Sequence, residues 1–386
     1  MSEDPIVVTT RTSWFSRLGA AFGGILTGLG LVLAGIILLA WNEGRSVQSI
    51  RTNNEGVRAV ASVSATRVDP VHEGRLIHVT APASATGRLR DADLGLEADG
   101  LSLGRKVQYF QWVETSRSEK RVRLGGGEET ITTYSYDRQW VDTPQDSSRF
   151  QQSDGHQNPV PNLKSTVFAA DRATLGAYSA DAAVLNQITP EAPLTPTAQD
   201  AAMAAAALSR PVRVVENALY VGRDSAAPEP GDMRIHYATA PQNMVLSVIA
   251  AQTGGLLKPY STKAGAPLLM VHTGAVAADQ MFAQAKAANQ TLSWILRGVG
   301  LVVLMVAVGM ILGPLGVLAD VLPFLGSIVR VGTGLVAGLT GLVLAALTIA
   351  SAWIVYRPVI AIGLVVVAGA VVAFLIWRAR GRGAKA

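Results

Sequence analysis

The residues best placed to do chemistry in this 386-residue chain are charges set against long apolar runs: Glu43, Arg45, Asp320, Arg330 and Arg357. Charge in or beside hydrocarbon is costly and is usually retained for a purpose. Glu43 and Arg45 follow one apolar run, and Arg357 stands between two others. A carboxylate and a guanidinium so placed can pair through charge-assisted hydrogen bonds and hold helices together. Alternatively, Glu43 can act as a general acid or base beside a lipid headgroup, with the arginines on phosphate. Anchoring at the interface, with stems snorkelling toward water, is the plainer reading of all five. Glu43, Arg45 and Arg357 form the candidate polar cluster at the membrane junction. Asp320 and Arg330 fall on the opposite side in the topology below. In an architectural role for Glu43, Glu43→Gln is expected to fold and assemble nearly normally.

Other chemistry is sparse. His72, His78, His156, His236 and His272 contain no i,i+4 pair and no H-E-x-x-H. There is no G-x-S-x-G elbow, P-loop or dinucleotide fingerprint. Gly125-Gly126-Gly127 lacks the Lys-Ser/Thr and the helix of a phosphate cradle and reads as a hairpin tip. With no cysteine, thiolate catalysis, disulfides and Cys-ligated zinc are excluded. No catalytic residue, cofactor or metal site is therefore assigned.

The elements that must position these charges are membrane helices. Charged residues are only 16% of the chain and hydrophobic residues 49%, against about 25% charged in soluble domains. Four uncharged segments, 18–41, 298–319, 331–355 and 358–377, each reach the roughly 20 residues that cross a hydrocarbon core. The first is too long for a signal-peptide core and lacks a cleavage site, so it reads as an uncleaved anchor. The net charge of +5 lies outside residues 42–297, which hold 25 basic and 25 acidic residues. Arg11 and Arg17 precede the first span, and Arg378, Arg380, Arg382 and Lys385 follow the last. This excess orients a membrane protein and argues against a nucleic-acid partner. The tail 1–17 and the basic tail 378–386 are expected in the cytoplasm, and residues 42–297 on the far side. Gly126 and the C-terminus are then expected on opposite sides.

Residues 42–297 are ample for an independent core. Val107–Val113 and Thr130–Trp140, aromatic and Thr-rich around the glycine tip, predict a long hairpin, with Trp112 or Trp140 in the core. Further strands are expected at Arg75–Thr80, Val212–Val221, Met233–Ala238, Met244–Ala251 and Leu268–Thr273, and a helix at Val276–Arg297 running into the second span. The fold class expected is a four-span α-helical membrane protein with a large, mainly antiparallel α+β ectodomain. Asn42-Glu43-Gly44-Arg45 echoes His72-Glu73-Gly74-Arg75, which reads as two turns that each need a glycine. In the first span Gly19/Gly23 and Gly24/Gly28 have GxxxG spacing, as do Gly334/Gly338 in the third; such surfaces admit close helix packing within the chain or with a neighbour.

These motifs resemble the transmembrane protein 43 (LUMA) family. They are Trp41–Arg45, His72–Val79, Tyr109–Thr115, Tyr134–Trp140, Gly155–Pro159, Gly231–Arg234, Pro259–Lys263 and Tyr356-Arg357-Pro358, in family order. The resemblance implies one early span, a large lumenal ectodomain and three closing spans. It also implies residence in the endoplasmic reticulum and inner nuclear membrane, with self-association and envelope partners, in animal members. It brings no catalytic residue. The composition here, 26 Arg against 7 Lys, suggests a high-GC bacterium, where lamina partners are absent. The expectation is a self-associating protein that organises or scaffolds membrane. The alternative is an enzyme or binding protein acting on a lipid or lipid-linked ligand at the junction. Partners are then membrane lipids, further copies of the chain as a homo-oligomer, and other membrane proteins. The expected location is a bacterial inner membrane with a periplasmic ectodomain, or the endoplasmic reticulum and inner nuclear membrane in a eukaryote.

Overall fold

The computed structural model describes residues 5–359 and 362–363. The segments 358–377 and 378–386 lie almost wholly outside the described residues. Among the described residues the α-helices, in chain order, are α1 (Trp14–Ala59), α2 (Ala182–Leu185), α3 (Ala198–Leu208), α4 (Ala278–Ala319) and α5 (Pro323–Tyr356). Among the described residues α1, α4 and most of α5 are long and apolar enough to cross a membrane. The chain divides into two compact units, one mainly β and one mainly helical.

The β unit, residues 52–118 and 132–284 with a short N-terminal piece, is built on two sheets. In one, Leu76–Ala85 pairs with Met244–Thr253, which turns back at Gly254-Gly255 to pair with Leu256–Lys258. Leu256–Lys258 runs parallel to Tyr178–Asp181, whose partner Arg172–Leu175 pairs with Leu76–Ala85 again. Five strands thus close into a small barrel, which leaves no free edge within the ring. Side chains alternate along its strands. Ile77, Val79, Ala81 and Ala83 join the main core with Val248 and Ala250, whereas Leu76 and Ile249 pack against Met281 and Phe282 of α4.

The second sheet runs Ser102–Val122, Met233–Ala240, Ala218–Val221, Val212–Val215, all antiparallel in that order. Its inward residues Leu103, Val107, Leu219 and Ile235 share the main core. The expected single strand over Val212–Val221 is a hairpin, because Glu216 takes φ 54° and turns the chain. The long hairpin is present as Ser102–Val122 and Glu128–Val141. Neither tryptophan is in the core, contrary to expectation. Trp112 lies half-buried, edge-on to His156 and under Arg138, and Trp140 packs on Phe110, Tyr220 and Arg234. The hairpin buries Tyr109, Phe110 and Tyr136 instead, and the Tyr136 hydroxyl donates to Glu114 at 2.7 Å. Cation–π stacking on partly wet rings gives the tryptophans a use at the surface.

The helical unit holds residues 9–51, the hairpin tip 119–131 and residues from 285 onward. Leu39, Leu304 and Ala345 meet at its centre, one from each long helix. Its outer faces are apolar and exposed, with Leu26, Leu33, Val302, Leu335 and Leu347 all more than half exposed, as lipid-facing residues must be. The helix expected at Val276–Arg297 and the second span are one element, α4. Residues 323–330, expected in a connection, are helical, so α4 and α5 are joined by Asp320–Leu322 alone. Gly44 sits inside α1 rather than in a turn, and of the two echoed motifs only Gly74 has positive φ (70°).

Candidate functional site

Among the described residues, the buried charges of the helical unit gather at two levels of the bundle. At the first level α1 carries Asn42, Glu43, Arg45 and Ser46, and α4 carries Asn289, Ser293 and Arg297. The spacing i, i+4, i+8 on α4 puts the last three on one face, and i, i+3, i+4 does the same for Asn42, Arg45 and Ser46. The two faces interlock. Asn42 donates to the Ser293 carbonyl at 3.1 Å, Arg45 donates to Asn289 Oδ1 at 3.1 Å and to Ser293 Oγ at 3.1 Å, and Asn289 donates to the Ser46 carbonyl at 3.3 Å.

Glu43 is fully buried, and both its oxygens are occupied. Oε1 accepts from Arg297 Nε and Nη2, each at 2.7 Å, and Oε2 accepts from the Trp353 indole at 2.8 Å. One carboxylate therefore ties α1 to both α4 and α5. Arg357 reaches the same indole from the end of α5, with its guanidinium carbon 6.0 Å from the ring centroid, and its Nε is buried without a hydrogen-bond partner. Of the three residues picked from sequence, Glu43 and Arg357 share Trp353 as a neighbour, while Arg45 turns to α4. Sequence reasoning missed Arg297 and Trp353, which complete the clamp. The signal for Arg297 was present, as the third member of the 289, 293, 297 run.

The second level lies about 39 Å along α1, at 1.5 Å per residue from Arg17 to Glu43. Asp320, fully buried, accepts from Arg17 at 2.6 Å and from Arg330 at 2.8 Å. Trp14 donates to the Val317 carbonyl at 2.8 Å. The hairpin tip is part of this level: Gly126 lies against Trp14 and its carbonyl accepts from Arg17, and the Gly125 amide donates to the Val321 carbonyl. Asp320 and Arg330 are thus a separate cluster from Glu43, as their position in sequence implied. The tip's own contacts lend no support to Gly126 as a reporter of the side opposite the N-terminus. Glu119, Lys120 and Arg121 beside the tip are exposed.

The glycines divide sharply. A Cβ on Gly28 would stand 2.7 Å from the Ala307 carbonyl and one on Gly24 3.8 Å from the Met310 carbonyl, so this pair receives α4. Gly35, Gly300 and Gly341 are close-approach positions that the spacing did not single out. Among the described residues, Gly19, Gly23, Gly334 and Gly338 meet nothing within 4 Å.

Comparison with known proteins gives a consistent picture. Residues 109–358 match the family model described as transmembrane protein 43. The chain is 29% identical to transmembrane protein 43 of Rattus norvegicus over 362 residues, covering 90% of this chain and 88% of the relative. It is 27% identical to the Homo sapiens protein over 390 residues, covering 97% and 94%. The Drosophila melanogaster homolog is 30% identical over 344 residues, covering 87% and 89%. No solved structure matches.

Proposed function

This chain belongs to the transmembrane protein 43 family, and we propose that it is a self-associating membrane scaffold rather than a lipid enzyme at the Glu43 junction. The observation that carries this reading is the Glu43 carboxylate: fully buried, with Arg297 on one oxygen and Trp353 on the other. A general acid or base needs a free oxygen within reach of its substrate. Glu43 exposes neither oxygen among the described residues, and its geometry is that of a fastener between three helices. Among the described residues, the fastened bundle leaves open the glycine faces of Gly19, Gly23, Gly334 and Gly338. Exposed backbone of that kind is where another helix packs in lipid.

The proposal places four spans in the membrane, the termini on the cytoplasmic side and the β unit across the bilayer, in a bacterial inner membrane. The basic tails and the neutral middle region support this orientation. A reporter at the exposed turn around Gly155 and one at the C-terminus are expected to mark opposite sides. The same side for both would remove the four-span arrangement.

Self-association is tested with paired glycine substitutions in lipid nanodiscs. Gly334→Leu with Gly338→Leu is expected to leave the helical signal and unfolding temperature near the parent's while lowering the assembled mass. Gly28→Leu is expected to damage the fold of the single chain, because its new side chain strikes α4 backbone. If the Gly334/Gly338 variant keeps the parent's mass, these faces are not the interface. A parent that is monomeric at every lipid ratio overturns self-association itself.

A further inference from the structure

Outside the helical unit, the β unit holds a cavity of about 660 Å³ that opens to solvent where α1 ends and α4 begins. That volume is in the range of small-molecule sites. Val57, Val60, Val63 and Phe282 supply apolar walls, and Ser62 and His78 lie side by side in its lining. The parallel pairing of Ala61–Ser62 with the barrel strand sets Ser62 opposite His78.

The hydrogen bonds of His78 fix the tautomer of its neutral ring. Its Nε2 is 2.9 Å from the Val276 carbonyl, which can only accept, so Nε2 carries the proton. Nδ1 of the neutral ring is then a bare lone pair, and it stands 3.3 Å from Ser62 Oγ. The hydroxyl therefore donates to the imidazole. A hydroxyl on a base, with the base oriented by a third group, is the arrangement that activates a serine nucleophile. The acceptor that orients the base is a backbone carbonyl, in the position a carboxylate takes in the familiar triads. His78 is 9% exposed, whereas Ser62 is exposed at the cavity mouth, so the base is sheltered and the nucleophile is reachable. Ala277 and Ala278, at the start of α4, line the same cavity. The first amides of a helix have no partner within it and are available to a developing oxyanion.

We propose that Ser62 and His78 form an acyl-transfer site for carboxylic esters with an apolar acyl chain. Ser62 Oγ attacks the ester carbonyl as its proton passes to His78 Nδ1. The carbon–oxygen bond to the alcohol breaks, and the alcohol leaves with that proton. Water, deprotonated by the same nitrogen, then attacks the acyl-serine and releases the carboxylic acid, restoring the Ser62 hydroxyl. This site shares no residue with the Glu43 clamp, so its failure leaves the scaffold reading intact.

The test uses the full chain in detergent micelles with an alkyl fluorophosphonate, followed by peptide mass mapping. The expected result is one covalent adduct on Ser62, none in Ser62→Ala, and labelling slowed roughly a hundredfold in His78→Gln, the lower range for loss of a general base. Release of p-nitrophenol from p-nitrophenyl octanoate is expected to disappear in Ser62→Ala while its unfolding temperature stays at the parent's. An unlabelled parent, an adduct on a different serine, or equal labelling in His78→Gln overturns the proposal. Should His78→Gln fail to fold, the Ser62→Ala comparison decides alone.

Discussion

Glu43→Gln is expected to unfold well below the parent, with a loss of roughly 3–5 kcal/mol, the cost of removing one partner from a buried ion pair. The sequence alone suggested near-normal folding, on the view that glutamine keeps the size and hydrogen bonding of glutamate. The structure replaces that view. Glu43 is fully buried, and the Arg297 side chain that pairs with it is only 16% exposed. Glutamine keeps the shape and can still accept from Trp353, but Arg297 then holds an unpaired charge among three helices. The double variant Glu43→Leu with Arg297→Leu removes both charges and is expected to recover most of the loss, since apolar replacements of a whole buried pair are often neutral or better. Thermal unfolding in one fixed detergent, followed by the loss of helical circular dichroism, measures all three proteins. Parent-like stability in Glu43→Gln, or no recovery in the double variant, would show that the clamp does not fasten the bundle.

What was legible in the sequence follows from how local each signal is. The apolar helices were readable because a membrane span is a one-dimensional property: enough uncharged residues in a row. The packing face at Gly24 and Gly28 was readable for a related reason, since GxxxG is a local pattern, though spacing alone could not separate it from the open faces at Gly19/Gly23 and Gly334/Gly338. The clamp was half readable. Glu43 stood out as a carboxylate after an apolar run, but its partner lies 254 residues away. Arg297 looked like the edge of the ectodomain because it is the last charge before the uncharged second span. The barrel was not readable at all. Its closure depends on three-residue Leu256–Lys258 pairing in parallel with Tyr178–Asp181, and such short strands have no period of their own. Trp112 and Trp140 misled for a physical reason. A large ring in a strand has two good uses, burial or stacking under arginine, and hydrophobicity alone does not choose between them.

Arg105→Met is expected to be the most damaging single change in the β unit. Arg105 is 3% exposed near the start of Ser102–Val122 and opposite Tyr237 on the neighbouring strand. Its guanidinium donates to Asp91 at 2.5 Å, to Asp93 at 2.7 Å and to the Lys164 carbonyl at 3.1 Å. Asp91, fully buried, takes a further bond of 2.7 Å from the Tyr237 hydroxyl. Burial pulls the Arg105 pKa down, but the bonds to Asp93 and Asp91 outweigh it and hold the group above its usual range. Methionine fills the stem's volume and leaves the Asp91 charge with no cation, for a loss of roughly 3–5 kcal/mol. Tyr237→Phe removes one neutral donor and is expected to cost about 1–3 kcal/mol. The same network sets a dependence on pH. Burial, and then the bond to Asp91, push the Tyr237 hydroxyl above its ordinary value of 10.0. A group whose pKa is raised on folding contributes stability that is complete below its unfolded pKa and is lost as pH climbs toward the folded one. Stability that depends on the Tyr237 proton is therefore expected to hold up to about pH 10 and to decline above it. Tyr237→Phe, which has no proton to lose there, is expected to show a shallower alkaline decline than the parent. Urea unfolding of the full chain at pH 8 and above pH 10, read by tyrosine and tryptophan signals, separates the two effects. Equal alkaline slopes in parent and Tyr237→Phe would mean that the Tyr237–Asp91 bond is not what the high-pH transition breaks.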